Sequence, residues 1–296
     1  MLPEEIRRKV QWIEITTRRL VDDVMSGSYK SHFKGHGVQF SEHRTYVAGD
    51  DVRHIDWKVS ARSKDVLVKK YEEERELTVF LVVDISHSEG FGSREKLKSE
   101  VLAELSGMLA SAAIRTGDKV GVLLFAGDIE RIIPPKKGKQ HILRIIREVL
   151  GFRAKTSGTH LKEALESAGR IMKHSGIIFV LSDFLAEDYE LPLKRLARKH
   201  DVVAISVGDP REKSIPNIGQ ILVQDPETGV ARMIDTGSYA FQEWLGKFTQ
   251  ESAARLTDRL KWARIELLEV KTDEDYPQAL MKFFQARSRL KARGPR

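Results

Sequence analysis

The chain of 296 residues contains no cysteine. That excludes disulfides, thiolate metal sites and a thiol nucleophile, and it suits a reducing compartment. No apolar run approaches the ~20 residues a membrane-spanning helix needs. The opening MLPEEIRRK turns charged at once and lacks the apolar core of a secretory leader. A cytoplasmic location is therefore expected. There is no internal repeat and no low-complexity segment, and no Ser/His/Asp arrangement forms a nucleophile motif, so an enzyme is not expected. Strong charge bias is confined to one end. The formal net charge is +7, yet Arg287, Arg289, Lys291, Arg293 and Arg296 fall in the last ten residues with no acid among them, leaving 45 basic and 43 acidic residues elsewhere. The body is close to neutral, and 287–296 reads as a solvated basic tail, not a nucleic-acid surface.

What the chain does have is a repeated strand–helix pattern. Pro3, two acids and the spacing of Ile6, Val10, Ile13, Thr17, Leu20 and Val24 predict an amphipathic helix over 3–24, stopped by Gly27. Residues 26–65 hold four glycines and four histidines among short apolar runs, which predicts loops and short strands with little core. From residue 78 buried strands are expected at 78–84, 119–125, 176–182 and 201–207. Helices are expected near 94–115, 140–150, 160–173 and 189–199, with a short strand at 131–134 ended by Pro134-Pro135. A hairpin over 219–224 and 230–235, a helix at 238–261, a strand at 264–270 and a helix at 275–287 complete the pattern. Near-continuous apolar strands alternating with helices predict an α/β fold: a doubly wound, mainly parallel sheet covered on both faces.

Three predicted strand tips carry oxygen ligands. Asp84, Ser86 and Ser88 follow the first buried strand, Thr159 precedes a helix after a glycine-containing turn, and Asp183 follows a later strand. An open α/β sheet binds ligands beyond the carboxyl ends of its strands. Any one of these hydroxyls is more often a helix cap or a turn partner. Together they suit a hard divalent cation, Mg²⁺ before Mn²⁺ or Ca²⁺. If one or both acids act through water, the ion stays electrophilic and attracts a partner's carboxylate.

These residues resemble a known site. Asp84-Ile-Ser86-His-Ser88, Thr159 within Ser157-Gly-Thr-His-Leu161, and Asp183 within Leu181-Ser-Asp-Phe184 are similar to the metal-ion-dependent adhesion site of von Willebrand factor type A domains. In that family the serines and threonine contact the ion directly or through water, and the acids complete the shell. Upstream, residues 37–62, with Arg44, Gly49-Asp50-Asp51, Arg53, Asp56-Trp57 and Ser60-Ala61-Arg62, resemble the signature of the domain of unknown function 58 family. That family couples its signature to a type A domain and is commonly encoded beside MoxR-type AAA+ ATPases in bacteria. His87 and Glu89 depart from the pattern, where a small residue and a methionine are usual. Glu89 adds charge beside the proposed ion. The resemblance implies an N-terminal helix and signature region over 1–76, a type A domain over 77–286, and the tail.

The implied function is a metal-dependent protein-binding module, an adaptor or co-chaperone-like partner of a MoxR-type ATPase or its client. The competing reading is a Mg²⁺-dependent phosphoester hydrolase on the same ion, with His87 or Glu89 as base. Gly49-Asp50-Asp51 suggests a two-metal nuclease less well than a structural charge cluster, with Trp57 packed, that locks the signature region to the larger domain. His32, His36, His43 and His54 lack the cysteine or carboxylate spacing of a zinc site.

Overall fold

Thr78–Asp84 forms β3, and its alternating side chains set the layering of the molecule. Successive strand side chains point to opposite faces. Val79, Leu81 and Val83 enter one buried cluster, whereas Phe80 and Val82 enter a second. The computed structural model describes residues 4, 8, 10, 12, 13, 39–72, 77–86, 96–224 and 230–292.

Around β3 lie β4 (Lys119–Phe125), β5 (Ile129–Lys136), β6 (Ile177–Ser182), β7 (Asp201–Gly208) and β10 (Glu266–Lys271), in the order β10-β7-β6-β3-β4-β5. All neighbours are parallel except β4 and β5. One face is covered by α2 (Lys98–Arg115), α3 (Lys139–Gly151) and α8 (Tyr276–Ala292). The other carries α4 (Leu161–Ile171), α5 (Glu190–Ala197) and α7 (Tyr239–Ala263). This is the doubly wound, mainly parallel α/β sheet that the strand–helix alternation predicts. Helices on both faces leave the carboxyl ends of β3, β6 and β7 to the loops.

Several boundaries differ from expectation, each for a physical reason. β5 runs on through Pro134-Pro135 instead of ending there. It is an edge strand, and its pairing with β4 shifts register between Val120, opposite Lys136, and Val122, opposite Ile133. The irregularity spans the prolines, which have no N–H to give a regular ladder. Helix α2 begins at Lys98, not near 94, and 87–95 lie outside the described residues. The basic tail starts later than its charge suggests. Arg287 is buried in α8, pairs with Asp201 at 2.8 Å and also engages Glu266, so it fastens the last helix to the sheet.

Upstream, β1 (Gln39–Thr45) and β2 (Leu67–Glu72) pair antiparallel. Their connection holds a 3₁₀ turn over Val52–His54 and the short helix α1 (Trp57–Ser60), capped by the carboxylates of Asp51 and Asp56. Arg44 binds Asp50 through two bonds of 2.7 and 2.6 Å, and Asp56 meets His43 at 3.1 Å and Lys69 at 3.4 Å. Arg44, Asp50 and Asp56 thus pair within the hairpin and its own turn, where a lock onto the larger domain was expected. The expected packing of Trp57 is corrected: its ring stands 67% exposed. Of the helix expected over 3–24, residues 4, 8, 10, 12 and 13 are described and helical, and Val10 and Ile13 are buried against the sheet's helical cover. His32 and His36 lie outside the described residues.

Candidate functional site

Asp84 ends β3 with its carboxylate fully buried. A buried acid needs hydrogen bonds to stay ionised. The Ser86 backbone N–H donates to Oδ1 at 2.9 Å, and the Ser182 hydroxyl donates to Oδ2 at 2.7 Å. Even so, burial, and then the charge of Asp183, pushes the Asp84 carboxyl up to about 6. Two acids on neighbouring strand tips, one without solvent, make a place where added positive charge is stabilising.

Asp183 follows β6 in a turn fixed by its neighbours. Its Oδ1 accepts from the Leu185 N–H at 3.1 Å, while Ser182 Oγ accepts from the Phe184 N–H at 3.1 Å. Phe184 sits at φ 58. A bulky residue in the left-handed region is strained by about 1–2 kcal/mol and persists only where its surroundings enforce it. Here the turn sends the Phe184 ring inward onto Tyr189, with centroids 5.8 Å apart, and leaves Leu185 in solvent.

Thr159 comes from the other side. The loop before α4 leans on the end of β4, where the His160 N–H donates to the Ala126 carbonyl at 2.8 Å. Gly127 passes so close that a Cβ there would lie 1.9 Å from the Ser157 carbonyl oxygen, so glycine is required. Since Asp84 pairs with Phe125 across β3 and β4, the Thr159 loop stands beside the Asp84 tip. Thr159 is half-buried. Its hydroxyl makes no hydrogen bond to the other candidate residues among the described ones. Ser86 is buried next to Asp84. Ser88, with His87 and Glu89, lies outside the described residues. The strand tips therefore place Ser86 on Asp84, bring Asp183 near enough for its charge to act on Asp84, and set Thr159 alongside.

Two participants were invisible in the sequence. Ser182, directly before Asp183, bridges the two tips. Lys98 opens α2, where a cation opposes the helix dipole. Its side chain is 0% exposed, with the ammonium 3.3 Å from Asp183 and 2.9 Å from Glu212. Glu212 belongs to α6 (Pro210–Lys213), just past β7. The ammonium thus partly neutralises one acid of the pair and ties the tips of β6 and β7 to the start of α2.

Among the described residues, no group of three or more His, Cys, Asp or Glu side chains converges to hold a metal. A cation here would be held by two carboxylates and hydroxyls, a donor set that fits a hard ion such as Mg²⁺ and disfavours softer metals. Cavities lined by described residues reach the site. One of about 130 Å³ approaches Asp84 and Ser86 past Ser99 and Phe152. Another, of about 500 Å³, has Asp183 in its wall.

No helix among the described residues is long and apolar enough to cross a membrane. The chain is 29% identical over 280 residues to the uncharacterized protein Rv1480 of Mycobacterium tuberculosis, covering 94% of this chain and 88% of that one. It is 25% identical over 167 residues to the uncharacterized protein YeaD of Bacillus subtilis, covering 56% of this chain and 39% of that one. Solved structures with a similar chain path include BatB from Bacteroides thetaiotaomicron, 16% identical with a TM-score of 0.47 over 72% of this chain and 99% of that one. They also include the SpRpn10 VWA domain, 8% identical with a TM-score of 0.41 over 70% of this chain and 94% of that one. The model of the family described as protein of unknown function DUF58 matches residues 42–255, from the β1–β2 hairpin into α7, and the chain belongs to that family.

Proposed function

We propose that this chain is a protein-interaction module that docks through a Mg²⁺ ion held by Asp84, Ser86, Ser88, Thr159 and Asp183. The observation that carries the reading is the fully buried Asp84 carboxylate facing the Asp183 charge at the end of β3. A divalent ion would offset that repulsion, and an ion sharing only two acids keeps affinity for a third. The third is the acidic residue of a partner. By resemblance to its family, the partner class is a MoxR-type AAA+ ATPase or its client, which makes this chain an adaptor.

The test uses purified components. Mg²⁺ is titrated calorimetrically into wild type and Asp84→Asn, a neutral isostere that keeps the buried shape. A purified MoxR-type ATPase from the same organism is then passed over each immobilised protein, with Mg²⁺ or with chelator. Wild type binds the ion and retains the ATPase only in Mg²⁺, and Asp84→Asn does neither. Equal retention in all conditions refutes metal-mediated docking. Mg²⁺-dependent turnover of a generic phosphoester would favour the hydrolase reading instead.

A further inference from the structure

The 500 Å³ cavity beside Asp183 lies beyond the carboxyl ends of β6, β7 and β10, and one face of α7 closes it. Its size is that of a ligand pocket, and its place is where an open α/β sheet binds ligands. Of the described candidate ion ligands, Asp183 lines it and Asp84, Ser86 and Thr159 do not.

Its surface is divided. The interior is apolar, built from Phe184, Tyr189, Leu256 and Val270, all buried. At the mouth two large apolar side chains face solvent, Leu185 from the strained turn and Phe248 from α7. Exposed apolar groups around a concave apolar interior mark a place where a partner's side chain is received. The turn at Phe184, which has a positive φ, carries Phe184 inward into the cavity and Leu185 outward at its mouth. The acids on the ion side of the wall, Asp183 and Glu212, are already engaged by Lys98. Lys213 lines the wall as an exposed cation and has no ion pair among the described residues. Glu187 and Glu269 add exposed acids to the wall, opposite the exposed cations Lys213, Arg255 and Lys271, so the lining is mixed in charge and the docking acid is assigned to the ion, not to the cavity wall.

We infer that the cavity receives the apolar side chain adjacent to the docking acid in a partner's peptide segment, so that the partner carries an acidic residue next to an aromatic or branched aliphatic one. The inference rests on the ion-docking reading for the acid and on the cavity for its neighbour. Adjacency follows from the shared residue: Asp183 lines the cavity and is one of the proposed ion ligands, and consecutive Cα atoms are about 3.8 Å apart. A carboxylate seated at the ion puts the next side chain at the cavity mouth.

The experiment is a phage-displayed random heptapeptide selection on the full-length chain in millimolar Mg²⁺. Consensus peptides are then synthesised and measured by fluorescence anisotropy. The expected consensus places Asp or Glu beside Phe, Tyr, Trp, Leu or Ile. Ala253→Trp, which fills the cavity from α7, should weaken binding at least about tenfold while leaving the Mg²⁺-induced thermal shift unchanged. Leu185→Ser, an exposed change that leaves the core intact, should weaken it several-fold and guards against misfolding of the tryptophan variant. No enriched sequence, a consensus without the apolar neighbour, or affinity indifferent to both variants overturns the inference. Binding lost in chelator but indifferent to both variants keeps the ion reading and sinks the cavity. Binding that survives chelator and Asp84→Asn, yet falls with Ala253→Trp, keeps the cavity as a receptor and sinks the ion reading.

Discussion

Replacing Lys98 by methionine removes the ammonium that holds the β6 and β7 tips together while keeping most of the side-chain volume. The ammonium lies 3.3 Å from Asp183 and 2.9 Å from Glu212. With an effective dielectric near 20, Coulomb's law assigns about 5 and 6 kcal/mol to these pairs before any cost is counted. Burying the ammonium offsets several kcal/mol of that, and cutting one partner from a buried pair costs about 3–5 kcal/mol net. The lower end applies, because the Glu212 side chain is 34% exposed and regains water when freed. A loss of about 3 kcal/mol lowers the melting temperature by roughly 6–12 °C for a domain of this size. A divalent cation beside Asp183 supplies the charge that the variant lacks and no longer meets a neighbouring ammonium. Mg²⁺ should therefore raise the melting temperature of Lys98→Met by more than that of wild type, with each tenfold gain in affinity adding about 1.4 kcal/mol at saturating ion. Differential scanning calorimetry with and without Mg²⁺ measures both. A variant that melts with wild type refutes the structural role of Lys98, and equal Mg²⁺ increments refute its coupling to the ion.

Two further outcomes are expected. Ser182→Ala deletes a hydroxyl that donates to Asp84 and accepts from the Phe184 N–H. With both partners left in a dry site, urea unfolding should show a loss of about 2–3 kcal/mol, and an unchanged midpoint would contradict the bridging role. His200 is buried with Nδ1 unpartnered, and burial, with Lys199 adding to it, holds its imidazole down to about 4. The unfolded chain protonates this group near its ordinary 6.5 and the folded chain does not. Its contribution is complete above that value and is lost as the pH falls through 6.5 toward 4. The melting temperature of His200→Leu should therefore fall less than wild type between about pH 7.5 and about pH 5, and parallel pH profiles would refute the assignment.

β3, β4, β6 and β7 were legible because each is a nearly continuous run of apolar residues, the pattern of a sheet covered on both faces. β1 was not. Its sequence, QFSEHRT, carries no such run, and it is a strand because Lys69 and Val68 lie opposite His43 and Arg44. Asp84 and Asp183 were legible because each ends a strand, where topology alone marks a ligand position. Lys98 was not, since its meaning comes from acids 85 residues away and farther, brought to it by the winding of the sheet. Arg287 misled for the same reason. Its composition matches the tail, but its partners Asp201 and Glu266 are in the sheet. The cavity draws its walls from the ends of three strands and a helix face, so no local window of sequence contains it.

The paired prolines of β5 have a consequence beyond their own register. Successive residues of a strand aim their amides to opposite sides, so Pro134 and Pro135 remove one donor from the inner ladder and one from the outer flank. The inner loss is absorbed where pairing with β4 slips. The outer loss interrupts the row of amides that an incoming chain would need to extend the sheet by strand addition. Recruitment by edge-to-edge annealing, the route common to amyloid growth and to strand-capturing adaptors, is thereby discouraged along that flank.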